Sequence, residues 1–309
     1  MSVAGDGRDA AEAPSVGVVG LGNMGGRISV RMRETGLTPV GFDLDDRRAS
    51  SRGLPAAASL AELVEQVDLL LLSLPDSRAV EAVIRGDGGV LRSCRAGQTI
   101  VDLSTAAPSS TVALAAELAE RGVRMLDAGV SGGAAAAENG TLTLMVGGDQ
   151  AVLDQVRPVL ERFSAKIFFM GGPGAGHVMK LLNNFLNGIS LAATAEVMVA
   201  ARIAGLDLHK VLDVINASSG VNFATMQRFP HIVDGDYLEG GLTSRLMMKD
   251  ITLYVDMVCE LGAPSINAAG PLASFGLAIG QGYGDEISNR VVDAIGDLAG
   301  GVRLHGSAE

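Results

Sequence analysis

Lys180 lies in the segment GHVMKLLNNFLNG, positions 176 to 188, three residues after His177 and four before Asn184. On a helix, the 3, 4, 3 spacing of His177, Lys180, Asn184 and Asn187 makes one polar stripe, with Asn183 beside it. The neighbours Val178, Met179, Leu181, Leu182, Phe185, Leu186 and Ile189 point all round the wheel, which predicts a helix buried on most sides. A lysine in such surroundings can do acid–base chemistry. Desolvation disfavours its ammonium form and pulls the pKa from about 10.4 toward neutrality, where the amine can take a proton from an alcohol and later return it. Asn184, one turn away, cannot titrate and is suited to orienting a hydroxyl. His177, next to GAG at the helix start, reads as structural or solvent-facing.

Oxidising an alcohol also requires a hydride acceptor, and the N-terminal part carries the signature of a site for one. In VGVVGLGNMGG, Gly20, Gly22 and Gly25 form GxGxxG at the end of an apolar strand and the start of a helix, with Asn23 and Met24 inside the turn. The first glycine permits the tight turn, the second lets backbone approach a pyrophosphate, and the third allows close helix packing. The helix N-terminus offers free N–H groups to the anion. The next strand ends in GFDLDD, which places Asp43 where a carboxylate accepts hydrogen bonds from adenosine ribose hydroxyls. A carboxylate there repels a 2′-phosphate, so NAD is expected over NADP, unless Arg47 and Arg48 fold back toward the ribose.

The elements that must position these groups follow an alternating pattern. After a Gly/Ala-rich segment, 1–14, that reads as a mobile tail, short apolar runs alternate with helical stretches. SVGVVG, PVGFD, DLLLLSLP and QTIVDLS read as strands, as do VRMLDAGV, TLTLMVGG and KIFFMG, while the stretch after PVGFD reads as a polar connection. Strands alternating with helices predict an α/β fold: a Rossmann-type, doubly wound parallel sheet over residues 15–175. GGPGAG marks its end. From Gly176 to Ala204 no proline interrupts a helical pattern, giving one helix of about 40 Å that crosses into a second, all-α part, 176–309.

Composition narrows the partners. No apolar run of about 18 residues lacks a glycine or polar break, and MSVAGDGRDAAEAPS has no apolar signal core, so a cytoplasmic protein without membrane contact is expected. A net charge of −11 with no basic run argues against nucleic acid. The four histidines make no HxxxH or HExxH pair, which argues against a dedicated metal site. Cys94 and Cys259 match no metal spacing and read as buried free thiols.

The ordered motifs GLGNMG, LSLPD, DLSTAAP, DAGVSGGAAAAENGTLTLMVGG, GAGHVMKLLNN and MMKD, spanning about Ser15 to Leu298, resemble the β-hydroxyacid dehydrogenase family. That resemblance implies hydride transfer between NAD and a small β-hydroxy acid, similar to 3-hydroxyisobutyrate, or its semialdehyde. It implies Lys180 as the catalytic lysine, Asn184 as the substrate-orienting amide with Asn183 close by, and Ser131, Gly132 and Gly133 as the loop holding the substrate carboxylate. Leu74, Pro75 and Thr105 would line the nicotinamide ribose, and Lys249 would close over substrate and cofactor, with Asp250 following it. Gly129 stands where the family's DAPVSGG has proline, which predicts a looser loop. An imine reductase on the same scaffold, or a nucleotide-binding protein without turnover, are the alternatives, and Lys180 argues against the first. Ser218, Ser219, Asn222 and Phe223 in INASSGVNFAT either meet the substrate's distal end or stabilise their own turn. Arg245 is a candidate second anion contact. The apolar long helix and GLAIGQG predict a homodimer or homotetramer.

Overall fold

The computed structural model describes residues 14–306, so the expected tail lies outside the described residues except for Pro14. Seven strands form one sheet: β1 (Val16–Val19), β2 (Val40–Phe42), β3 (Leu69–Leu72), β4 (Thr99–Asp102), β5 (Arg124–Ser131), β6 (Leu142–Gly147) and β7 (Ser164–Gly171). Their spatial order is β2-β1-β3-β4-β5-β6-β7. The runs VGVV of β1 and LLLL of β3 are buried at every position, as strands covered on both faces must be. One apolar cluster, with Ile28, Met32 and Phe163, covers one face, and another, with Leu63, Ile84 and Leu114, covers the other. Each such side chain contributes about 1.5–3 kcal/mol through burial.

β1 pairs in parallel with both β2 and β3, so the winding reverses there and opens a crevice at the carboxyl ends of these strands. Two sequence expectations need correction. The sheet is not wholly parallel, because β5 and β6 run antiparallel. Only residues 132–141 join them, a link suited to an antiparallel return and short for a parallel crossover of a dozen or more residues. The stretch after β2 is also not merely a polar connection. It contains the helix Leu60–Gln66, capped by the Ser59 side chain, which accepts from the Glu62 amide.

The long helix runs Ala175–Ile203, 29 residues, or about 43 Å. Its first turns lie on β5 and β6, and its remainder joins helices Ser244–Glu260, Ala269–Gly280 and Val291–Leu298 around Met247, Phe229 and Phe275. Beyond Gly171 the described residues form helices and no further strand of the sheet. The helix is less enclosed than its composition suggests, since Leu182, Leu186 and Val197 are exposed. It is the one described helix long and apolar enough to cross a membrane by those measures, yet 44% of that window is buried inside the protein, as in a core helix. Both cysteines are free thiols, as expected, but neither is buried: Cys94 is half-buried and Cys259, in the last turn of Ser244–Glu260, is exposed.

Candidate active site

The long helix is seated by a carboxylate from another element. Asp127 in β5 is buried, and its Oδ1 accepts from the Gly174 amide at 2.7 Å while its Oδ2 accepts from the His177 amide at 2.7 Å. The helix has no side-chain cap of its own at Gly174. Asp127 supplies that role, and its charge complements the positive end of the helix dipole. The seating is close: a Cβ at Gly176 would lie 2.3 Å from the Met145 carbonyl, and one at Gly129 would lie 2.5 Å from the Lys180 Cβ. Gly129 therefore does not loosen a loop. It is a paired β5 residue opposite Met145, and its bare backbone leaves room for the lysine stem. Nothing local in the sequence marks Asp127 as the cap of a helix 47 residues away.

One turn further on, Lys180 Nζ donates to Asn184 Oδ1 at 3.0 Å. Asn183 Nδ2 donates to the same oxygen at 3.3 Å, and Asn184 Nδ2 donates to Asp250 Oδ2 at 2.5 Å. Asp250, buried in helix Ser244–Glu260, thus fixes which end of the Asn184 amide faces the lysine. Burial holds the Lys180 ammonium below the usual lysine range; Asp250 opposes this and Lys249 reinforces it. The direct partner of Lys180 is a neutral amide rather than a carboxylate, so desolvation prevails.

Lys249 Nζ donates to the Pro75 carbonyl at 2.9 Å and the Thr105 carbonyl at 3.0 Å, and lies 3.1 Å from Asp250 Oδ1. Two of its three donors are thereby engaged, and the contact with Asp250 is an ion pair without a hydrogen bond. The residue acts as a strap between the helical part and the loops after β3 and β4. Those loops are tied to each other as well, because the Leu74 amide donates to Ser104 Oγ at 2.9 Å.

The dinucleotide turn lies on the same edge of the sheet. Gly20 has φ +89°, and a Cβ there would lie 2.3 Å from the Ser73 carbonyl, while one at Gly25 would lie 2.0 Å from the Gly20 carbonyl. Neither position admits another residue. The helix Asn23–Glu34 begins at Gly22 with no side-chain cap and no acidic residue in its first turn, so its leading amides are left for an anion. Asn23 Nδ2 donates to the Gly240 carbonyl at 2.8 Å, and Met24 packs on the core beneath. Asp43 Oδ2 accepts from the Leu21 amide at 2.7 Å, and its Oδ1 from the Asp45 amide at 3.0 Å. A cavity of about 380 Å³ opens beside it, lined by Phe42, Asp43, Asp45 and Ala56 to Ala58. A bare glycine turn, an uncapped helix start and a carboxylate at the next strand end fit a dinucleotide. Arg48 turns toward Asp43, Nη1 to Oδ2 3.3 Å, whereas Arg47 pairs outward with Asp45.

Ser131 ends β5, and Gly132 and Gly133 follow with φ of +126° and +71°. Gly132 is the N-cap of helix Gly133–Asn139, which Gly133 opens, and both glycines are exposed. Of the other candidates, His177 is fully buried and structural: its Nδ1 is 2.8 Å from Thr111 Oγ1, and its Nε2 is 4.0 Å from Asp102 Oδ2. Asn222 caps helix Phe223–Gln227 in a capping box, so the turn-stabilising reading holds for it. Ser218 and Ser219 are exposed. Arg245 pairs with Asp285 at the surface instead of facing the lysine. A residue not anticipated from sequence is Arg228, which donates to Asn187 at the end of the polar stripe.

Comparison with known proteins gives this arrangement a family. Residues 15–172 match the family described as the NAD binding domain of 6-phosphogluconate dehydrogenase. Residues 174–294 match that described as NAD-binding of NADP-dependent 3-hydroxyisobutyrate dehydrogenase. The chain is 35% identical to 2-(hydroxymethyl)glutarate dehydrogenase of Eubacterium barkeri, over 92% of this chain and 96% of that one. It is 33% identical to 3-hydroxyisobutyrate dehydrogenase of Pseudomonas aeruginosa, over 84% and 88%. The solved 3-hydroxyisobutyrate dehydrogenase of Mycobacterium tuberculosis with L-serine superposes with a TM-score of 0.82 at 29% identity, covering 91% of this chain and 99% of that one. A Rossmann sheet, a dinucleotide turn and a helical second part, matched along nearly their whole length by these relatives, place the chain in the β-hydroxyacid dehydrogenase family, with NAD as its cofactor.

Proposed function

We propose that the protein transfers a hydride between NAD and the carbinol carbon of a small β-hydroxy acid, with Lys180 as the general acid/base. The supporting observation is a half-buried lysine whose direct partner is the neutral Asn184 amide, on the helix that faces the cofactor edge of the sheet. When bound, NAD⁺ supplies the acceptor for the hydride leaving the carbinol carbon. Lys180, as free amine, takes the hydroxyl proton as the C–O bond gains double-bond character, and the product is the semialdehyde. In the reductive direction the ammonium returns that proton. Asn184, held by Asp250, orients Lys180 with its Oδ1, and its remaining N–H is available to the substrate oxygen. Ser131, Gly132 and Gly133 hold the substrate carboxylate through backbone N–H groups and one hydroxyl.

Initial rates of NADH formation against a panel of β-hydroxy acids, on the native protein and Lys180→Ala, test this. Turnover that falls at least a thousandfold in the variant, with its fold and NAD affinity intact, is expected. A variant that retains native kcat overturns the proton-transfer role. We further infer a preference for NAD over NADP, because Asp43 presents a carboxylate at the ribose end and Arg47 pairs outward with Asp45; Arg48, which turns toward Asp43, is the one group that works against it. Equal or better kcat/KM with NADP overturns that preference.

A further inference from the structure

Arg228 lies between helices Phe223–Gln227 and Phe229–Ile232, with its guanidinium turned toward the long helix. Its Nη1 donates to Asn289 Oδ1 at 2.8 Å and its Nη2 to Asn187 Oδ1 at 3.0 Å. Both partners are neutral. Asn289 is buried, and its own Nδ2 donates to the Tyr237 carbonyl at 2.8 Å, which turns its oxygen toward the arginine. No aspartate or glutamate among the described residues comes within 4.0 Å of the guanidinium. Burial without a counter-charge draws its pKa down to about 10.

A half-buried cation held in place by two amides, with no anion beside it, is costly for a protein to keep unless an anion arrives. Two of its five N–H donors are used, and the remaining three can meet a carboxylate in the forked geometry that arginine favours. The Phe223 ring, 5.7 Å from Cζ, covers one flat face.

The position of this group relative to Lys180 gives it meaning. Asn187 follows Lys180 by seven residues on the same helix face, a separation of about 10 Å along the axis. The polar stripe thus carries the lysine amine at one end and, through Asn187, the guanidinium at the other, and a small hydroxy acid with a second carboxylate on a short carbon arm offers one group to each end. We propose that Arg228, held by Asn187 and Asn289, recognises a second carboxylate on the substrate, so that the preferred substrates are β-hydroxy diacids. This role for Arg228 rests on the assignment of Lys180 to the reacting hydroxyl.

The test compares two 3-hydroxypropanoates substituted at C2 with a two-carbon arm, one ending in a carboxylate and the other in a carboxamide of the same shape. The native enzyme is expected to favour the carboxylate arm by roughly 100-fold in kcat/KM, as charge-assisted hydrogen bonds imply. Arg228→Gln should erase most of that ratio by raising KM for the diacid, and Arg228→Lys should restore part of it. A second measurement is independent of turnover: calorimetric binding of unreactive glutarate and butyrate to the NADH-loaded enzyme. Glutarate binding at least tenfold tighter, with the margin lost in Arg228→Gln, supports the anion site even where neither alcohol is oxidised, an outcome that would overturn the dehydrogenase reading alone. The proposal is overturned if neither measurement separates the charged arm from the neutral one in the native enzyme. It is equally overturned if Arg228→Gln weakens both ligands alike, because the guanidinium would then serve only to hold the helices together.

Discussion

Lys180 shows how a single residue exchanges stability for chemistry. Burial lowers its pKa because the ammonium is disfavoured, and the same term destabilises the fold wherever the group is charged. The sign follows from proton counts. With the folded pKa below the unfolded one, the unfolded chain binds more protons between the two values, so stability rises with pH across that window. Lys180→Met should therefore abolish turnover yet raise the melting temperature by about 2–4 °C at neutral pH. The gain should shrink as pH rises from the depressed folded pKa toward the ordinary lysine value of about 10.4, and be gone above it. Differential scanning calorimetry across pH would show it, and a destabilised variant at neutral pH would contradict the desolvation account. The same depressed pKa predicts that kcat/KM for alcohol oxidation rises with pH through an apparent pKa below that of a free lysine. Lys180 and Asn184 were legible in the sequence because helical spacing is local. Asp250 was visible only as a neighbour of Lys249, and Arg228 was not singled out at all, since its significance depends on Asn187 and Asn289, 41 and 61 residues away.

Among the elements, the long helix carries the site because it lies on the sheet with no side chain between. Gly129 illustrates the constraint. Gly129→Ala would drive a methyl into the Lys180 Cβ, now 2.5 Å from where that methyl would stand. Overpacking of this kind costs about 1–3 kcal/mol, and a displacement approaching 1 Å at the reacting group costs up to about 100-fold in rate. The expected result is a 10- to 100-fold fall in kcat with little change in the Kd for NAD, since the glycine turn after β1 lies on a different strand. Stopped-flow hydride transfer and NAD titration would separate the two effects. A native kcat in Gly129→Ala would show that the helix can shift without consequence. The strands of the sheet were readable because buried parallel strands leave uninterrupted apolar runs, as in β1 and β3. The antiparallel turn from β5 to β6 was not, because periodicity reports burial and leaves direction unspecified. The helix Leu60–Gln66 was missed because it has only seven residues, about two turns, too few for its period to stand out.

At the scale of the whole molecule, the long helix leaves one face uncovered. Leu182, Leu186, Ala193, Val197 and Ala200 are exposed at spacings of 4, 7, 4 and 3, with Ile189 half-buried between them. This is a continuous apolar stripe of about 27 Å. On the opposite face Leu181, Asn184, Leu191, Ala195 and Met198 are buried in the protein's own core. A helix that is apolar all round belongs in an interior, and within one chain this helix has an interior on only one side. A second copy docked on the stripe would supply the other side. A twofold dimer is the simplest closed arrangement, because the same surface then serves both partners. Sedimentation at micromolar concentration should show a species of at least twice the 31.6 kDa chain mass. Leu186→Glu, which places a charge at an exposed position and disturbs no core residue, should shift it toward monomer. A native protein that sediments as a single chain would mean the stripe stays open to solvent. Should Leu186→Glu instead leave an oligomer unchanged, association would use another surface, and the exposed Ile266 and Leu298 outside the long helix would be the next positions to charge.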